Sequence, residues 1–222
     1  MGIQEKKLSE LVLGKMSGLN HTFRFSGMKK IRNQSVSEHS YWTAVIAASL
    51  AYYENEQRIK NGTRIAPVEV LKVYESSLMH DIEEILSGDI IHTFKHSKEG
   101  SGFINELDSL IKKVLPVQIF DKILSGDVFL KSWEDSHHDS EYSYLVKMGD
   151  WFQLLQYSVE EYELGNKNFE SIILKVLELI KTKNDAERYV QKRLLFVPDL
   201  IENFIKEFLE DFKKGYDEKR NL

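Results

Sequence analysis

His80 and Asp81 stand side by side in an apolar, helix-like stretch, with His39 earlier and Asp150 later in two further helix-like segments. Two neutral imidazoles and two carboxylates are hard-to-borderline donors suited to one divalent metal ion, such as Co, Mn, Zn, Ni, Fe or Mg. Carboxylates are rarely buried unless they are paired or bind a metal. Asp81 lies among Leu78, Met79, Ile82 and Ile85, and Asp150 beside Met148, Trp151 and Phe152, so each needs a partner. A shared cation would serve both, and four protein ligands leave positions for water or phosphate oxygens. The chemistry that fits is hydrolysis by cation-activated water.

A base for such a reaction has two candidates. Glu83 and Glu84 follow His80 by three and four residues, and on a regular helix both spacings share its face. His137-His138-Asp139 is a weaker candidate for a metal site. Three consecutive residues on a polar stretch cannot easily converge on one ion, so they read as surface residues and a helix cap. The chain has no cysteine, which excludes thiolate sites. It also has no Gly-rich phosphate loop or serine-nucleophile motif, which argues against energy-coupled phosphoryl transfer.

The elements that must carry these residues are helical. Only 3 prolines occur, and apolar residues recur at helical spacing. Leu8, Leu11, Val12 and Met16 mark a first short helix ending near Gly18, and residues 20 to 36 form an irregular segment. Ser35 or Ser37 caps a second helix running through Ala51 towards Glu56, which puts His39 in its first turn. After a polar loop from Arg58 to Ala66, a third helix begins near Pro67 and continues through His80-Asp81 to Ile85. Ser87-Gly88-Asp89 ends it. A loop at 90 to 101, a helix from Phe103 to Pro116, a short helix at 117 to 124 and a polar stretch from Lys131 to Ser140 follow. Glu141 to Leu164 forms a long helix holding Asp150, and two more helices, near 168 to 183 and 196 to 213, precede a charged tail. Tyr41, Trp42, Trp151, Phe152 and Tyr157 read mostly as core packing, with one of them free to wall a base pocket.

Ser37-Glu38-His39-Ser40, His80-Asp81-x-x-Glu84 with Leu86-Ser87-Gly88-Asp89, and Leu145-Val146-Lys147-x-x-Asp150 together resemble the successive motifs of the HD-domain phosphohydrolases. Within that superfamily the pattern is most similar to the YfbR-like 5'-deoxynucleotidases, over about residues 20 to 165. The resemblance implies an all-α, single-domain HD-domain helical bundle over residues 1–222, with C-terminal helices at 166–215 beyond the core. It implies that His39, His80, Asp81 and Asp150 ligate one metal ion, and it selects Glu84 over Glu83 for handling the attacking water. It gives Asp89 a part in orienting the water, protonating the leaving oxygen or contacting the sugar. Arg24 matches a family arginine that grips the 5'-phosphate, and a dianion entering a carboxylate-rich pocket needs such a guanidinium fork. Phe25 matches a family tryptophan that crowds the sugar edge, and the smaller ring relaxes selection against a 2'-hydroxyl. Where the family continues Leu-Pro-Thr-Pro-Val-Lys after the aspartate, this chain reads Ile90-Ile91-His92-Thr93-Phe94-Lys95-His96. His92 and Lys95 are thereby candidates for contacting further phosphates.

At 222 residues and 42% hydrophobic content, the chain can bury a sizeable core as one domain. A net charge of -5 argues against a nucleic-acid surface. No apolar run is long enough to span a bilayer, and the first residues lack a signal-peptide core, so a cytoplasmic location without membrane contact is expected. The expected partners are a nucleotide substrate and, in the manner of relatives that dimerise, a second copy of the chain. The expected reaction is removal of the 5'-phosphate from deoxyribonucleoside monophosphates. The alternatives are a deoxynucleoside triphosphate triphosphohydrolase with its pocket opened near residues 90 to 96, and a non-catalytic nucleotide-binding module.

Overall fold

The computed structural model describes residues 16–89, 98–114, 126–138 and 140–220. Its helices are α1 (Val36–Lys60), α2 (Val70–Met79), the single turn α3 (Glu84–Ser87), α4 (Lys98–Val114), α5 (Gly126–His137), α6 (Glu141–Glu163), α7 (Glu170–Ala186) and α8 (Val197–Arg220). Among the described residues there is no strand, only an isolated antiparallel bridge between Phe23 and Ser35. The all-α expectation therefore holds.

Local chemistry explains where the two site-bearing helices start. Ser35 has extended backbone, and its hydroxyl accepts from the Glu38 amide at 3.1 Å, satisfying one of the unbonded donors of the first turn of α1. Ser140 and Ser143 cap α6 reciprocally, each hydroxyl accepting from the other's backbone amide. α1 buries Ala44, Ala47, Ala48 and Ala51, a stripe of small side chains at helical spacing. Opposite lies Gly149 of α6. A Cβ there would stand 2.6 Å from the Thr43 carbonyl oxygen and 2.9 Å from Ala47 Cβ, so glycine lets the two helices touch backbone to backbone.

One core fills the space between α1, α2, α6, α7 and α8, with Val73, Tyr144, Leu145, Met148, Ile173, Ile180 and Ile201 among its fully enclosed members. The start of α8 is tied into it by a buried carboxylate. Glu54 accepts from the amides of Leu195, Phe196 and Val197 at 2.8 to 3.0 Å and from Arg58 Nε at 2.9 Å. A negative charge at a helix N-terminus is electrostatically favourable, and here it is also fully hydrogen-bonded. A second, smaller cluster of Leu19, Val36, Ile82 and Trp133 lies beneath the turn after α2.

Three sequence expectations need correction. The helix read as continuous from Pro67 to Ile85 breaks at His80. His80 Nδ1 lies 2.6 Å from the Ser77 carbonyl, the acceptor that a regular helix would offer to the Asp81 amide. The chain then tightens, with Ile82, Glu84, Ile85 and Leu86 each bonding the carbonyl three residues back. The Lys131–Ser140 segment, read as a polar connection, is largely helix α5, which buries Ser132 and Trp133. Tyr41 and Trp42, read as core packing, are 55% and 42% exposed and meet edge to face. The short helix placed at 117–124 and most of the first helix lie outside the described residues.

Candidate functional site

The four residues proposed as ligands converge from three regions of the bundle. His39 comes from the first turn of α1, His80 and Asp81 from the turn after α2, and Asp150 from the middle of α6. His39 Nε2 lies 3.2 Å from His80 Nε2, 3.2 Å from Asp150 Oδ1 and 3.5 Å from Asp81 Oδ2, and His80 Nε2 lies 3.2 Å from Asp81 Oδ2. One donor atom each from His39, His80 and Asp150 falls within 4.8 Å of the other two. Donors about 2.1 Å from a common ion stand about 3 to 4 Å apart. The donor set and its spacing therefore fit a divalent cation. His80 and Asp81, adjacent in the turn after α2, meet this point through His80 Nε2 and Asp81 Oδ2.

Electrostatics follow from the enclosure. Burial, reinforced by the Arg24 guanidinium, lowers the His39 pKa against the pull of Asp150, which favours the neutral imidazole a metal needs. Burial also works against charge on His80, but the Asp81 and Asp150 carboxylates prevail and push its pKa up to about 9. Burial opposes the Asp150 charge too, yet Lys147, His39 and His80 hold its carboxyl well below the ordinary range. Lys147 Nζ bonds Asp150 Oδ2 at 2.9 Å, leaving Oδ1 to face His39.

Glu83 and Glu84 are both buried but differ in surroundings. Glu83 accepts from Trp133 Nε1 at 3.0 Å, which ties it to α5 and the small core. Glu84 opens α3. Gly88 follows with φ 70°, and its amide bonds the Glu84 carbonyl at 2.9 Å. Asp89 then turns towards the 24–26 segment, where its Oδ2 accepts from the Ser26 amide at 3.2 Å.

That segment carries Arg24. Backbone bonds from Arg24 to Gln34 and from Val36 to Thr22, both 2.9 Å, hold it beside the start of α1. The guanidinium contacts His39 Nδ1 through Nη1 and lies 3.9 Å from Asp150 Oδ1 through Nη2. Phe25 takes a positive φ of 56°, uncommon for a bulky residue. Its ring stacks on Tyr157 at 5.4 Å and meets Phe169 edge-on, so it is half-buried against α6 and the turn that follows. His137 and His138 are exposed, as read, and the adjoining helix is capped by Ser140. His92 and Lys95 lie outside the described residues.

The sequence reading missed the residues that hold these groups from behind. Gln153, one turn after Asp150, is buried with Oε1 2.5 Å from His39 Nδ1. Glu161, with no exposed surface, accepts from the amides of Ile31 and Arg32 and from Asn166 Nδ2. Tyr157 donates to the Arg32 carbonyl at 2.6 Å. Together these anchor the far end of the segment that bears Arg24. The i+3 spacing of Gln153 from Asp150 was the one signal available. Nothing local marks Glu161, whose backbone donors, the Ile31 and Arg32 amides, lie about 130 residues away.

Comparison with known proteins shows the family and the fold. A family model described as 5'-deoxynucleotidase YfbR-like matches residues 12–212. A 5'-deoxynucleotidase of Photorhabdus laumondii subsp. laumondii is 26% identical over 204 residues, covering 91% of this chain and 93% of its own. One from Pasteurella multocida is 27% identical over 199 residues, covering 88% and 90%. Among solved structures, an HD-domain phosphohydrolase from Listeria innocua superimposes with a TM-score of 0.63 at 20% identity, over 95% of this chain and 89% of that one. A protein from Pyrococcus horikoshii OT3 gives 0.62, also at 20% identity, over 88% of this chain and 95% of that one. At that identity the structural likeness speaks for the fold.

Proposed function

Because the chain belongs to the YfbR-like 5'-deoxynucleotidase family, we propose that it removes the 5'-phosphate from deoxyribonucleoside monophosphates, using one divalent cation held by His39, His80, Asp81 and Asp150. The observation that carries this reading is the convergence of two imidazoles and two carboxylates, with Arg24 pressed against the same cluster. The mixed His and carboxylate set suits Co, Mn, Ni, Zn or Fe better than the all-oxygen shell that Mg prefers. When bound, the cation supplies Lewis-acid stabilisation of phosphoryl charge and acidifies water.

The side chains do the rest. Arg24 binds phosphate oxygens through its planar fork and balances the charge that develops as the P–O bond breaks. Glu84, buried where α3 opens, takes the proton of the attacking water. Asp89, which accepts from the Ser26 amide, orients that water, returns a proton to the departing 5'-oxygen or contacts the sugar. Lys147 and Gln153 hold two ligands from behind.

The test is a panel of ribo- and deoxyribonucleoside mono-, di- and triphosphates, with Co, Mn, Zn and Mg supplied in turn. Phosphate release from deoxyribonucleoside monophosphates, lost in Asp81→Ala and in chelator, is the expected result. Release of triphosphate from deoxynucleoside triphosphates would favour the other hydrolase chemistry. No turnover on any member would leave only a binding module.

A further inference from the structure

Gln153 is 2% exposed in the centre of the bundle, where an amide is costly to bury unless it is hydrogen-bonded. Its Oε1 lies 2.5 Å from Nδ1 of His39, the ring nitrogen opposite the one that faces His80, Asp81 and Asp150. The Arg24 guanidinium approaches the same Nδ1. These two neighbours make opposite demands. A neutral imidazole carries a proton on one nitrogen and a lone pair on the other. The guanidinium has only donors, so its contact with Nδ1 requires the lone pair there and sends the proton to Nε2. The Gln153 carbonyl accepts, so it requires the proton on Nδ1 and leaves the lone pair on Nε2, facing the other three ligands.

We propose that Gln153 is the positioning residue that selects the ligating tautomer of His39. It holds the Nδ1 proton, presents the Nε2 lone pair to the cation, and competes with Arg24 for that nitrogen, which makes the guanidinium available to phosphate. A neutral amide does this without adding a third negative charge beside Asp81 and Asp150. The inference rests on the metal-site reading above. It goes further by assigning the tautomer, the residue that sets it, and a link between the cation and the orientation of Arg24.

The test uses the full chain and its Gln153→Leu and Gln153→Glu variants, titrated with Co(II) and followed by visible absorption. The zinc-loaded, 15N-histidine-labelled proteins give the His39 tautomer from long-range nitrogen–proton correlations. Gln153→Leu should bind cobalt about 10- to 100-fold more weakly, with little change in the metal-free melting temperature, and Gln153→Glu, which keeps an acceptor and adds a negative charge, should bind it at least as tightly as the parent. The parent should show His39 protonated on Nδ1. Cobalt binding in Gln153→Leu equal to that of the parent would overturn the proposal. So would a parent His39 protonated on Nε2, a result that needs no variant to fold. If the parent itself fails to bind cobalt, the metal-site reading falls and this inference with it, an outcome distinct from the other two.

Discussion

Gly149 sits so close to Thr43 that a Cβ built on it would meet the Thr43 carbonyl oxygen at 2.6 Å. This contact falls beside the site, because Asp150 is the next residue on α6 and His39 lies one turn before Thr43 on α1. The hydroxyl of Thr43 itself reaches within 3.5 Å of His39 Nε2. Gly149→Ala would gain about 1 kcal/mol from helix propensity alone. The clash is with backbone, however, and forcing the helices apart costs about 1–3 kcal/mol. The variant should therefore be less stable in urea unfolding, and its cobalt affinity should fall as His39 and Asp150 separate. A variant more stable than the parent would show that the interface gives way without strain.

Glu83 and Glu84 differ in a way kinetics can read. Glu84→Gln should lower kcat by about 10²- to 10⁴-fold while leaving cobalt binding intact, as expected when a base is lost. Glu83→Gln weakens the bond to Trp133 Nε1 and should show mainly in stability. A larger kcat loss in the Glu83 variant would reverse the assignment.

The raised pKa of His80 fixes the sign of a pH effect. Asp81 and Asp150 overcome the effect of burial and keep the imidazole protonated up to about pH 9. Ligation needs the neutral ring, so a cation must displace a proton at any pH below that. Apparent affinity should rise towards pH 9, with proton release near neutrality measurable by calorimetry in buffers of different ionisation enthalpy. For the metal-free protein the folded pKa exceeds the unfolded one. The stabilisation is then fully present below about pH 6.5 and is lost as pH rises through 9. Cation binding without proton uptake by the buffer at pH 7 would contradict this.

Arg24 touches His39 and Asp150, so its removal acts on two equilibria with opposite signs. Arg24→Ala should raise KM for the phosphate ester by about 100-fold or more, the equivalent of a charge-assisted pair worth about 3 kcal/mol. It also removes a positive charge beside the ligands, so cobalt should bind at least as tightly as in the parent. Weakened cobalt binding would instead make Arg24 a support of the metal site.

Much of this arrangement was legible in the chain. The Ser35 cap, the Glu141 start of α6 and the stop at Gly88 are set by bonds within three or four residues, which spacing reveals. The same local signals overextended the third helix, because His80 looks like any helical residue until its ring nitrogen is seen on the Ser77 carbonyl. Gly149, Gln153 and Glu161 escaped notice for a different reason. Their partners are on other segments, and an isolated Gly, Gln or Glu on a helix has no pattern of its own.

Glu161 offers the sharpest test of how a distant side chain supports the site. Burial would raise its pKa, but the Ile31 and Arg32 amides and Asn166 hold the carboxyl below its ordinary value. A depressed folded pKa means stability that is present above the unfolded value and lost as pH falls through the folded one. Glu161→Gln keeps the shape but exchanges a carboxylate with three backbone and side-chain donors for an amide whose NH2 confronts them. The expected cost is about 2–3 kcal/mol at pH 7. That gap between parent and variant should narrow as the parent's carboxyl is protonated in acid. Because the same bonds anchor the 29–32 segment beyond Arg24, KM should rise while cobalt affinity holds. Urea unfolding at pH 7 and pH 4, with kinetics at neutral pH, reads both effects. An equal stability gap at the two pH values would show that the charge on Glu161 does not clamp the segment.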